Sequence, residues 1–246
     1  RVIVRRLHFV AERIVFMSEL VRYSFIKTKF PREFLLLQGK GCFYKKCRFC
    51  DYYNDISENP FEVNKPVIEK VSGETGALDI INSGSCLELD DDTMKLIYKT
   101  ASEKNINTIW FETHYLYKNK LPDFRKKFPS IKLKFRTGVE SFNPKIRQFL
   151  NKGIPQAVTA YDIAKDFDGV CLLIGFVGQT RDDIIKDINM ARKYFEYTSV
   201  NVFVENSTDI KRDENLIAWF NENLYPKIKN EPSMEILLNN TDLGVG

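Results

Sequence analysis

Gly39-Lys-Gly-Cys42-Phe-Tyr-Lys-Lys-Cys47-Arg-Phe-Cys50-Asp-Tyr-Tyr53 is the stretch on which the reading of this chain turns. Its three cysteines are separated by four and then two residues, directly after the apolar residues 34–37, which read as a buried strand. Packing does not explain three thiols set so close together. A Cys-x2-Cys turn points both sulfurs to one side, and zinc sites and iron-sulfur clusters both use it. Zinc would take a fourth protein ligand from Asp51, His8, His114, Cys86 or Cys171, and no spacing singles one out. A cluster held by three thiolates leaves one iron open to a small molecule.

Outward from that loop, 246 residues at 43% hydrophobic are enough for one large core, and no Pro/Gly/Ser-rich linker divides them. Five cysteines are an odd number and three are clustered, which points to a reducing compartment, the cytoplasm, rather than to a disulfide scaffold. The longest apolar run, 170–177, has core-strand length and is too short to span a membrane. The basic start, Arg1-Val-Ile-Val-Arg-Arg6, is broken by charges and does not read as a secretory signal. A net charge of +4 does not mark a nucleic-acid binder. The basic stretch 118–136 reads as a solvated helix face.

Val10, Ile14, Met17, Val21 and Phe25 have helical spacing, predicting an amphipathic helix over 8–25 in an N-terminal extension, 1–32. Strands are expected at 34–38, 77–82, 108–112, 131–139, 170–175 and 199–204 in a core of 33–210. A helix and a short strand, 234–238, close the chain within 211–246. Helix starts are marked at Asp90 or Asp91, at Asn143-Pro144, and at Thr180 with Asp183 three residues on. Strand-helix units in a row mean parallel strands with right-handed crossovers, in an open doubly wound sheet or a full or partial barrel. Both place their sites at the C-terminal ends of strands. The polar clusters lie there: the cysteines, Ser83-Gly84-Ser85, Glu112 with His114, Glu140-Ser141, Gly178-Gln179-Thr180 and Glu205-Asn206. That convergence argues for an enzyme.

With these segments assembled, the chain resembles the radical S-adenosylmethionine superfamily over nearly its whole length. The usual superfamily spacing is Cys-x3-Cys-x2-Cys, so one residue is added between Cys42 and Cys47. Phe49 matches the aromatic position before the last cysteine. Ser83-Gly84-Ser85 stands where relatives bind the methionine amino group. Phe111-Glu112-Thr113-His114 is similar to a Glu-Thr-Arg segment, with His114 in place of arginine. Gly138-Val-Glu140-Ser141-Phe142 with Arg147 looks like the segment that contacts ribose and carboxylate, and Leu173 to Thr180, with Gly178, like the segment that supports the adenine. The resemblance implies a partial (β/α)6 parallel barrel and a 4Fe-4S cluster on Cys42, Cys47 and Cys50. It also implies S-adenosylmethionine bound by Phe49, Ser83, Gly84, Ser85, Glu112, Glu140, Ser141, Arg147 and Gly178, a 5'-deoxyadenosyl radical, and an electron donor such as flavodoxin or ferredoxin.

No second cysteine cluster and no added RNA-binding domain are evident, so a small substrate is expected rather than nucleic acid. As a whole the short chain is similar to superfamily lyases that cut the free base queuine to 7-aminomethyl-7-deazaguanine in queuosine salvage. The donors of a deazaguanine suit Glu205, Glu112 or Asp51, and a cyclopentene diol suits Asn206, His114 or Asn240. Tyr52, Tyr53 and Phe203 are the aromatics available for stacking, against the plainer reading of rim or core packing. Cys86 reads as a small buried apolar side chain, with hydrogen-atom donation as its other reading, and Cys171 reads as core. Another radical enzyme acting on a small molecule or a tRNA base is the first alternative. A non-catalytic zinc or iron-sulfur module is the second.

Overall fold

The computed structural model describes residues 20–246. One eight-stranded sheet runs in sequential order: β1 (Tyr23–Ile26), β2 (Arg32–Leu37), β3 (Ala77–Asn82), β4 (Thr108–Glu112), β5 (Lys132–Glu140), β6 (Gly169–Ile174), β7 (Tyr197–Val202) and β8 (Met234–Leu237). β1 pairs antiparallel to β2, and from β2 to β8 every neighbour is parallel. The crossovers carry α1 (Pro60–Ile68), α2 (Asp91–Glu103), α3 (Leu121–Arg125), α4 (Pro144–Phe149), α5 (Ala160–Ala164), α6 (Arg181–Tyr194), α7 (Glu214–Trp219) and α8 (Tyr225–Ile228). This is the partial parallel barrel expected.

The caps form where the sequence places them. Asp90 accepts from Thr93 N, Asn143 from Lys145 N, and Thr180 from Asp183 N in a full capping box. Pro66 lies inside α1, which starts at Pro60. The helix expected at 8–25 does not extend through Phe25, because Tyr23–Ile26 forms β1. Residues 8–19 of it lie outside the described residues.

Alternation decides which side chains face the helices and which face the lumen. Leu78, Ile80, Ile109, Phe111, Phe135, Val139, Val170, Leu172, Val200 and Val202 join the main core under the helices. The opposite faces of the same strands carry Asp79, Glu112, Arg136, Glu140, Cys171 and Ser199 into a polar lumen. Cys171 is buried as expected, but its Sγ faces the lumen, 3.7 Å from Glu112 Oε2. Cys86 does belong to the core.

The two ends of the parallel run are tied across the lumen by Arg32 of β2, whose Nη2 lies 2.6 Å from Glu235 of β8. Beside β1, Val21 and Gly246 exchange both backbone hydrogen bonds. The basic stretch 118–136 is divided: Lys126 pairs with Asp123 in solvent, Lys134 with Asp168 and Glu196, and Arg136 is buried in the lumen. No helix among the described residues is long and apolar enough to cross a membrane.

Candidate active site

β2 delivers the chain into the cysteine loop at the open end of the barrel. Gly39 N donates to Ser83 Oγ at 2.9 Å, which sets the start of the loop against the end of β3. From there the loop leans on the turn after α4. Arg48 N donates to Leu150 O at 3.0 Å, and Asn151 Nδ2 to Lys46 O at 2.9 Å. Within the four-residue insert, Tyr44 stacks on His114 with ring centres 4.6 Å apart and donates its hydroxyl to Asn151 O at 2.8 Å. Its ring fills the space beside Gly153, where an added Cβ would stand 2.7 Å from it. Tyr44 thus anchors the loop to the segment after β4 and to the turn after α4.

The SGS segment is built against the same loop. A Cβ on Gly84 would fall 3.2 Å from Cys42 Cα and 2.2 Å from Glu88 Oε2, so only glycine permits the approach. Glu88 is the hub: its carboxylate accepts from Phe43 N at 2.9 Å, Ser85 N at 2.7 Å and the Tyr117 hydroxyl at 2.8 Å. Ser85 Oγ in turn accepts from His114 N at 3.0 Å. Glu88 was missed from sequence, although Ser85-x-x-Glu88 is the capping-box spacing and the box is formed.

His114 Nδ1 accepts from Leu116 N and Nε2 lies 2.9 Å from Lys152 O, which fixes a neutral ring protonated on Nε2. Burial, with the nearby Lys152 charge, pushes it down to about 4. It is a strut between loops rather than an open hydrogen-bonding group.

β5 carries a bulge between Gly138 and Glu140, and Glu140 has φ of 62°. This strained residue turns its carboxylate inward to Lys152 Nζ, 2.9 Å away, both side chains nearly fully buried. The Lys152 ammonium also lies 5.3 Å from the Phe49 ring centre. Phe49 packs on the small cluster of Ile146, Leu150, Leu173, Phe176, Phe203 and Ile210. Phe203 is thus core and does not face the mouth.

All five cysteines are free, and Cys42, Cys47 and Cys50 are half-buried. Burial pushes the Cys47 thiol up and the Cys50 thiol up to about 12, with Lys152 opposing in both. Thiols so placed ionise on meeting a metal, which supplies the positive charge that water does not. Among the described residues no three His, Cys, Asp or Glu side chains converge as the ligands of one ion do. A cluster asks for less convergence, since its thiolates bind different irons. Three free thiols on one loop, Cys42, Cys47 and Cys50, are the donor type that a cluster takes.

The other expected residues divide between mouth and scaffold. Tyr52 is 63% exposed at the mouth. Tyr53 lies beneath Lys45, whose Nζ is 5.9 Å from its ring centre. Asp51 accepts from Ser207 N at 3.0 Å, and Asn206 donates to Phe49 O at 2.8 Å, so both clamp the loop to the turn after β7. Ser141 is buried and accepts from Asn143 N at the start of α4. Arg147, within α4, is buried with Nη2 donating to the carbonyls of Gln156 and Val158. Gly178 has φ of 100° with open space around it. Glu205 is exposed and accepts from Arg212 N, and Asn240 is exposed beyond β8.

A solved structure, "queuine lyase from Clostridium spiroforme bound to SAM and queuine", matches this chain with a TM-score of 0.89 and 42% identity, covering 93% of this chain and 100% of that one. This chain belongs to the queuine lyase family. It is a radical S-adenosylmethionine enzyme by that membership. No protein-family model matches the chain, and no curated protein does. Seen as a queuine lyase family member, the barrel mouth gathers the cysteine loop, the SGS segment and the Glu140–Lys152 pair on one rim.

Proposed function

We propose that this chain cleaves queuine to 7-aminomethyl-7-deazaguanine, with S-adenosylmethionine as cosubstrate and a 4Fe-4S cluster held by Cys42, Cys47 and Cys50. The likeness to a lyase solved with SAM and queuine, which this chain matches along that protein's whole length, carries the reading. A cluster bound there supplies the electron that cleaves S-adenosylmethionine to a 5'-deoxyadenosyl radical, which takes a hydrogen atom from the substrate.

The chain's own residues do the rest. Ser83, Gly84 and Ser85, held against Cys42 by Glu88, form the backbone cradle for the methionine end. Glu140 and Lys152 neutralise each other beside the thiols, so the rim carries an ordered dipole without net charge. Tyr52 hangs over the mouth as a cover that stacks on a flat base and keeps water out. The electron comes from a small acidic flavodoxin or ferredoxin in the cytoplasm, where the free thiols stay reduced.

The test is anaerobic. Reconstituted protein should be brown with about four irons per chain. With a reductant and S-adenosylmethionine it should convert queuine to 7-aminomethyl-7-deazaguanine and release 5'-deoxyadenosine, read by mass spectrometry. A colourless protein that cleaves no S-adenosylmethionine ends the radical reading, and cleavage without a new base ends the substrate assignment alone.

A further inference from the structure

The lumen below the mouth holds a line of charges that runs from β8 to β4 and ends at Glu112. Glu235 pairs with Arg32 at 2.6 Å, Arg32 with Asp79 at 2.8 Å, Asp79 with Arg136 at 2.7 Å, and Arg136 with Glu112 at 3.2 Å. Three carboxylates against two guanidiniums leave one negative charge. The inner acids are satisfied. Asp79 takes both guanidiniums, which outweigh its burial and hold its carboxyl below the usual range. Glu235 takes Arg32 and the Tyr197 hydroxyl.

Glu112 differs. Its Oε2 receives the long Arg136 bond and the Cys171 thiol, and nothing among the described residues donates to Oε1. Its side chain is 38% exposed where Arg136 is 4%, so the excess charge faces the mouth. The other lumen acid at this height, Glu140, is already neutralised by Lys152. A partly exposed carboxylate in excess is a favourable place for a cation.

We propose that Glu112 is the counter-ion of the substrate's secondary ammonium rather than a ligand of S-adenosylmethionine; this rests on the queuine reading. Because the product keeps its aminomethyl nitrogen, the bond cut joins that nitrogen to the cyclopentene diol. The nitrogen is a dialkyl amine, positively charged near neutral pH. Held at Glu112, at the end of β4 and one strand over from the SGS cradle at the end of β3, it lies beside the bound cofactor.

The experiment uses cluster-loaded protein under anaerobic conditions and measures binding, not turnover. Glu112→Gln keeps the side-chain length and an acceptor for Arg136. It should raise the Kd for queuine about tenfold to a hundredfold, as loss of a charged hydrogen bond does, and leave the Kd for S-adenosylmethionine unchanged. Queuine acetylated on the bridging nitrogen has no charge there, and should bind wild type and Glu112→Gln alike. Glu112→Asp, which keeps the charge, should stay nearer to wild type than Glu112→Gln, and it stands in if the amide variant fails to load its cluster. The proposal is overturned if Glu112→Gln weakens S-adenosylmethionine and spares queuine, or if the acetylated base loses as much affinity as queuine does. If wild type binds S-adenosylmethionine but no queuine, the substrate reading fails and this assignment fails with it.

Discussion

The Lys152 ammonium lies 2.9 Å from Glu140 Oε1 and 5.3 Å from the centre of the Phe49 ring, one residue before the last cysteine of the loop. Both charged side chains are nearly fully buried, so each is tolerable because the other is present. Lys152→Met leaves a buried carboxylate alone and should cost about 3–5 kcal/mol of stability. Glu140→Gln together with Lys152→Met should cost much less than Lys152→Met alone, because neither charge is then stranded. Urea unfolding of the two variants and the wild type reads this directly. Equal losses in the single and double variants would show that the pair is not coupled.

Gly84 sets a second expectation. An alanine there puts its methyl against Glu88 and the Cys42 backbone, and Glu88 holds three groups that fix the relation of the cysteine loop to the SGS segment. Gly84→Ala should therefore lower S-adenosylmethionine affinity by about tenfold or more, as a displaced polar contact does, while iron content falls less. Titration of S-adenosylmethionine into the reconstituted variant checks it. The conservative partner is Tyr44→Phe, which keeps the stack on His114 and should retain full iron content where Tyr44→Ala does not.

The strands were legible because their apolar runs are bounded by turn residues and their helices carry local caps: Thr180 with Asp183 is visible three residues apart. β1 was not, because Val21 and Phe25 fall at helical spacing while Tyr23–Ile26 pairs with β2 through backbone groups that have no pattern in sequence. The lumen was also hidden. Asp79, Arg136 and Cys171 sit in runs that read as buried strands, and only the closing of the sheet turns one face of each into a polar interior. Tyr44 acts through His114 and through Asn151, the latter 107 residues away, and no local spacing announces that. Asp51 and Asn206 are polar residues at strand ends, as a site requires, yet their bonds go to the loop itself.

His114 makes stability depend on pH. Its ring is pushed down to about 4, against 6.5 when unfolded, so between these values the unfolded chain binds a proton that the folded chain refuses. Stability from this residue is complete above about pH 6.5 and is lost as pH falls toward 4, by roughly 3 kcal/mol in all. His114→Gln should be less stable than wild type at pH 7, having lost the stack on Tyr44, but the gap should narrow as the pH is lowered. Melting curves of both proteins from pH 7 to pH 4.5 provide the measurement. A gap that stays constant would mean that the ring titrates normally.

The solvent side of the cysteine loop is cationic and partly apolar. Lys40, Lys45 and Lys46 are exposed, and Phe43 among them is 77% exposed. An acidic electron donor approaching this side comes nearest to the cysteines, and opposite charge speeds its arrival in a manner that salt suppresses. Lys45→Glu with Lys46→Glu should slow reduction of the bound cluster by flavodoxin about tenfold at low salt, with the difference shrinking as salt is added. Reduction by dithionite, a small ion that needs no docked face, should change far less. Stopped-flow bleaching of the cluster absorbance separates the two, and equal slowing with both reductants would place the effect in the cluster rather than in the encounter.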